Sequence, residues 1–128
     1  MNITVEVSLG EFLDKLTILR IKAERIKDPA KLANVRKELA LLERTWAASP
    51  FADKDISEPL GRLKAVNEAL WDIEDRIRIK ESEGAFDQEF IELARSVYLR
   101  NDERAALKRE LNLLLGSELI EEKSYADY

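Results

Sequence analysis

The chain has 128 residues, 45% of them apolar and 37% charged, with a formal net charge of −5 at pH 7. That is one domain by size, long enough to bury a core without covalent staples. It contains no Cys and no His, which excludes disulfides, thiolate chemistry, Ser-His-Asp triads and zinc sites, and removes the near-neutral imidazole switch.

The N-terminus carries neither a basic patch followed by a signal-length apolar run nor a cleavage site, and no stretch approaches bilayer-spanning length. The expectation is a cytoplasmic protein without membrane contact. The acidic total argues against nucleic-acid binding. Charge is uneven, however, because Arg20, Lys22, Arg25, Lys27, Lys31, Arg36 and Lys37 outnumber Glu24 and Asp28 in one stretch. A solvated helix face accounts for that cluster, since no aromatic residue interleaves it.

Residues 2–7 alternate, with Ile3, Val5 and Val7 on one face and Thr4 and Glu6 on the other. The pattern predicts a short β-strand. One strand is not stable alone; its partner is either 118–123 or the same edge in a second copy.

Ser8 and Glu11 form an S-x-x-E capping box opening a helix over about 9–27. Leu9, Phe12, Leu16, Leu19, Ala23 and Ile26 make one apolar seam, while Leu13, Ile18 and Ile21 lie off it. A helix apolar on two sides is packed on two sides, so this is the expected central element. Its polar residues Asp14, Lys15, Thr17 and Lys22 must find partners: Glu11 for Lys15, and the Leu13 carbonyl for Thr17.

Asp28-Pro29 stops that helix and caps the next, about 29–47, with the seam Leu32, Val35, Leu39, Leu42 and Trp46. Residues 47–56 read as a loop with Phe51 tucked against a helix end. Ser57 is the expected N-cap of a third helix to 83, seamed by Leu63, Val66, Leu70, Ile73 and Ile77 and ended by Gly84. Trp71 and Ile79 flank that seam. Asp87 caps a fourth helix to about 115. Its seam runs Phe86, Phe90, Leu93, Val97, Arg100, Arg104, Leu107, Leu111 and Leu114, so two arginines occupy core register. A break or kink near 99–102 would remove the conflict. Gly116 stops the helix before a tail over 116–128. The fold expected is mainly α: one antiparallel bundle of four long helices, the last broken or continuous, with a short N-terminal strand.

GEFLDKLTILRIKAERI at 10–26, LWDIEDRIR at 70–78 and FIELARSVYLRNDERAALKRELNLLLGSELIEEKSY at 90–125 resemble a small bacterial protein family of unknown function. The resemblance spans nearly the whole chain and implies a bacterial origin. It implies no activity and no site residues.

Chemistry without His narrows to charges on helices. Arg100, Arg104 and Lys108 form an i, i+4 ladder with Arg95 one turn earlier and Arg76 and Arg78 on the preceding helix. Helix-borne arginines can hold a phosphate or dicarboxylate. VYLRNDERAAL at 97–107 resembles the matching stretch of small all-α chorismate mutases, which implies a dianion held by cations between helices. Such a site predicts a pocket joining Arg100 or Arg104 to Arg76 or Arg20. Asp72-x-x-Asp75 and Glu89-x-x-Glu92 raise a second enzyme class, Mg²⁺-dependent all-α nucleotide pyrophosphohydrolases. The offset between the two pairs argues against a shared ion, and a solvated acidic face is the simpler account.

The favoured reading is a non-enzymatic helical interaction module, with coiled-coil-like seams, no catalytic residue, no metal site and no cofactor. Its partner is a second copy of itself, as a homodimer, or another protein, met through Ile3, Val5, Val7, Tyr125 and Tyr128.

Overall fold

The computed structural model describes residues 1–128. Four helices make the fold: α1 (Leu9–Arg25), α2 (Pro29–Ala47), α3 (Ser57–Glu83) and α4 (Gln88–Leu115). The mainly α expectation holds. No helix is long and apolar enough to cross a membrane.

Helix ends follow local chemistry. The Ser8 hydroxyl accepts from the Glu11 N–H, and Asp28 and Asp87 accept from the Lys31 and Phe90 N–H groups. Gly84 and Gly116 end α3 and α4 at φ 65° and 67°, a conformation in which a Cβ clashes with backbone. The third cap departs from expectation: Ile56 occupies the N-cap position and Ser57 is the first helical residue. Its N–H and hydroxyl both donate to Asp55, at 3.1 and 2.7 Å.

α1 is central because α2, α3 and α4 all pack against it, whereas α2 packs only on α1. Leu13, Leu16, Leu63, Leu107, Leu111 and Leu115 form the core with Ile56. Phe12, Trp46 and Phe51 close one end as a stack, with ring centres 6.1 and 6.3 Å apart. α2 buries no residue completely; its Leu39, Leu42 and Trp46 lie against the core from outside.

α4 runs without a break from Gln88 to Leu115, which corrects the expected interruption at 99–102. No break is needed, because Arg100 does not enter the core; it is exposed and bonds Glu103 on its own helix. Buried residues of α3 lie between Pro59 and Leu70, and those of α4 between Leu107 and Leu115. The far halves of these helices extend past the core as a pair. They are joined by ion pairs of Lys80 with Asp87 and of Arg76 with Glu89. Ile79, Phe86, Ile91 and Leu99 remain exposed there, as does the expected seam position Leu114, whose place in the core is taken by Leu115.

The expected strand over 2–7 is absent. Residues 1–7 make no backbone hydrogen bond within the chain. Alternating β-branched residues favour an extended backbone, but a strand requires a neighbour to bond, and 118–123 does not supply one. Ile3, Val5 and Val7 are 95%, 73% and 44% exposed.

Candidate functional site

Polar residues on the packed faces of α1 need partners inside the fold, and Asp14 and Thr17 find them there. Asp14 is 1% exposed. Its Oδ1 accepts from Arg104 Nε and from Asn67 Nδ2, each at 2.9 Å, and its Oδ2 accepts from Arg104 Nη2 at 2.5 Å. The guanidinium and carboxylate thus meet as a two-bond fork, the strongest neutralising geometry available to the pair. The Asn67 amide also donates to Thr17 Oγ1 at 2.9 Å, and that hydroxyl donates to the Asp14 carbonyl at 2.8 Å. Thr17 was expected to bond the Leu13 carbonyl; the residue one position on accepts instead. The hydrogen bonds it donates to Asp14 hold the Arg104 guanidinium above its ordinary pKa. The network ties α1, α3 and α4 together, and no buried polar side-chain atom is left unpaired.

A second junction lies at the start of α1. The Leu9, Gly10 and Glu11 N–H groups, orphaned at a helix N-terminus, donate to Ser117 Oγ, Asn112 Oδ1 and Ser8 Oγ at 3.1, 2.6 and 3.1 Å. The Glu11 side chain does not close the capping box or pair with Lys15. It accepts from Lys108 Nζ at 2.6 Å, while Lys15 pairs with Glu38 at 3.0 Å. Lys108 also donates to Glu121 of the tail at 2.7 Å. Burial pulls the Lys108 ammonium down, but hydrogen bonds to Glu11 and Glu121 outweigh it and leave the pKa raised.

The tail is therefore docked by charge. Lys108 holds the Glu121 carboxyl below the usual glutamate range. A carboxyl depressed in the folded state stabilises above its unfolded pKa, and that contribution is lost as pH falls through the folded value. Tail docking is expected to be intact near neutrality and to loosen as the pH falls below the ordinary glutamate range. Amide protection factors over 119–128, read against those of the α1 core, check this. Glu121→Gln should weaken the pH dependence, leaving the Glu122 pair with Arg109 to carry the rest.

The other expected anion-binding cations are spent locally or solvated. Arg76 pairs with Glu89, Arg100 with Glu103, and exposed Arg95 donates to the Tyr98 hydroxyl at 3.3 Å. Arg76, Arg95 and Arg100 do not converge with Arg104, and Arg20 pairs with Glu43 on α2. No open cluster of arginines awaits a dianion. The acidic pairs do not converge either: Asp72 binds Arg25, Glu89 binds Arg76 and Lys80, and no three carboxylates gather where a cation could sit. Tyr128 lies edge-on to Tyr98 with ring centres 5.2 Å apart and donates to Asp102. Tyr125 is 78% exposed.

Beside the Asp14 network, α1, α3 and α4 enclose an open cleft of about 440 Å³. Ile18, Ile21, Leu70 and Trp71 form its apolar wall. Asn67, Asn101 and Arg104 also line it, as do Lys22, Glu74, Asp75 and Arg78. Arg78 is paired with Glu74, and Arg104 with Asp14. Arg104 thus borders a pocket, as the arginine reading required, but its companions are Lys22 and Arg78 rather than Arg76 or Arg20.

Residues 3–127 match a family described as a family of unknown function, DUF6165. The chain belongs to that family. No curated protein and no solved structure matches it. For this DUF6165 member, the match agrees with the resemblance read from the sequence and attaches no activity to any residue. Asn67, Asn112 and Ser117 went unnoticed in the sequence. Asn67 carried a signal, since it falls four residues after Leu63 on the same helix and so interrupts a buried stripe with an amide.

Proposed function

We propose that this protein is a non-enzymatic interaction module whose partner is a second copy of itself, joined through residues 2–7. The single observation that carries the reading is the backbone of 1–7, which makes no hydrogen bond in the chain while presenting Ile3, Val5 and Val7 to solvent. Antiparallel pairing about a two-fold axis at Val5 places Ile3 opposite Val7 and Thr4 opposite Glu6. No like charges face each other in that register. A two-stranded ribbon alone is marginal. Val7 shares a shallow hollow with Leu119 and Ile120, both exposed, and that apolar rim adds surface for a partner to cover.

In this reading the rest of the chain is scaffold: an antiparallel bundle built on α1, its interior closed by the Asp14 and Lys108 junctions. The charged network serves to fix helix register rather than to bind substrate. A bacterial, cytoplasmic setting goes with it, supported by a chain that needs no disulfide and by the family resemblance.

Light scattering tests the proposal. At tens of micromolar the native protein is expected to have twice the mass of the chain. Val5→Lys, on a residue that contacts no core, is expected to be monomeric with unchanged helicity. A native protein that scatters as a monomer overturns the reading.

A further inference from the structure

Among the basic side chains, Lys22 is in an unusual position. Its neighbours on α1 are neutralised: Lys15 by Glu38, Arg20 by Glu43, Arg25 by Glu68 and Asp72. Lys22 makes no ion pair and no hydrogen bond, yet it is half-buried in the wall of the cleft, whereas every other unpaired basic side chain is exposed. No carboxylate of the chain meets its ammonium, so a ligand carboxylate in the cleft would have no competitor there. Across the cleft Asp75, an exposed residue, is without a cation or donor from the chain. Arg104 and Arg78 add little net charge, because Asp14 and Glu74 already offset them. The cleft therefore presents one positive and one negative group without a partner in the chain, beside an apolar wall.

We propose that this cleft binds a small zwitterion with an apolar side group, the chemistry of a free hydrophobic amino acid. The ligand carboxylate is taken by Lys22 and its ammonium by Asp75. Its side group lies against Ile18, Leu70 and Trp71. The Trp71 indole N–H and the Asn101 side-chain amide donate to nothing within the chain and remain available to the carboxylate; the Asn101 oxygen already accepts from Arg104 at 3.4 Å. The volume of about 440 Å³ lies within the range of small-molecule sites. A simple anion would use only Lys22 and a simple cation only Asp75, whereas a zwitterion uses both. The proposal does not depend on self-association.

The Trp71 indole signal in proton–nitrogen correlation spectra of the full chain, assigned by its loss in Trp71→Phe, reads binding directly. Phenylalanine, phenylpropionate and phenethylamine are the probes. Phenylalanine is expected to shift the signal saturably below about 10 mM, and Lys22→Met and Asp75→Asn each to weaken it about tenfold. Both variants should melt with the native protein, since neither residue makes an ion pair. Absence of a saturable shift overturns the proposal. So does phenylpropionate or phenethylamine binding as tightly as phenylalanine, or either variant binding as the native protein does.

Discussion

Arg104→Met is expected to lower the unfolding free energy by about 3–5 kcal/mol, because it leaves a buried carboxylate without its counter-charge. The Asp14 side chain is 2% exposed, so water cannot take over from the lost fork. The Asn67 amide remains as one donor at 2.9 Å, too little to solvate an ionised group. Asp14→Leu should cost less, about 1–3 kcal/mol, since the abandoned guanidinium is 29% exposed and can turn toward the cleft and its water. The double variant should recover part of the loss, because two apolar side chains of similar volume need no desolvated charge. Urea unfolding of the four proteins measures the cycle. The expected result is a coupling of about 2 kcal/mol or more between the two sites; losses that simply add would show that the pair does not act as one unit.

The second large effect is at Gly10. A Cβ there would stand 2.4 Å from the Lys108 carbonyl oxygen and 3.0 Å from Asn112 Oδ1. The nearer atom is helix backbone and cannot move without shifting α4. Gly10→Ala gains about 1 kcal/mol of helix propensity, but overpacking at a fixed backbone costs more, so a net loss of about 1–3 kcal/mol is expected. It should also lengthen the Gly10 N–H bond to Asn112. Gly61→Ala is the matching control: it lies within α3 with nothing within 4 Å of its Cβ, and should stabilise by up to about 1 kcal/mol. Thermal melts of the two variants should shift in opposite directions.

Both predictions concern contacts between residues about ninety or more positions apart, which explains what could and could not be read in advance. The helices were legible because periodicity, Ser8, Asp28, Asp87, Gly84 and Gly116 are local signals. The role of α1 was legible too, since Leu13, Ile18 and Ile21 off its main seam require more than one neighbour. Arg104 stood out as a cation in apolar register, but its partner did not. Asp14 precedes it by 90 residues; its place on a helix packed on more than one side calls for a partner without saying which. Arg100 was misread for the same reason, because register places a residue on a face without saying how far the core extends beneath it. The core ends near Leu107, so the stripe at Arg100 faces water. The strand failed differently. Its pattern is real, but pairing is a property of two segments, and no second one is present in the chain.

The scaffold reading assigns self-association to that unpaired segment, and amide hydrogen exchange along residues 2–7 at several protein concentrations tests it most directly. Antiparallel pairing between copies bonds every second amide. The account predicts protection at alternate positions between Ile3 and Val7 at high concentration, lost on dilution while the α1 core stays protected. Rapid exchange of all these amides at every concentration would contradict it.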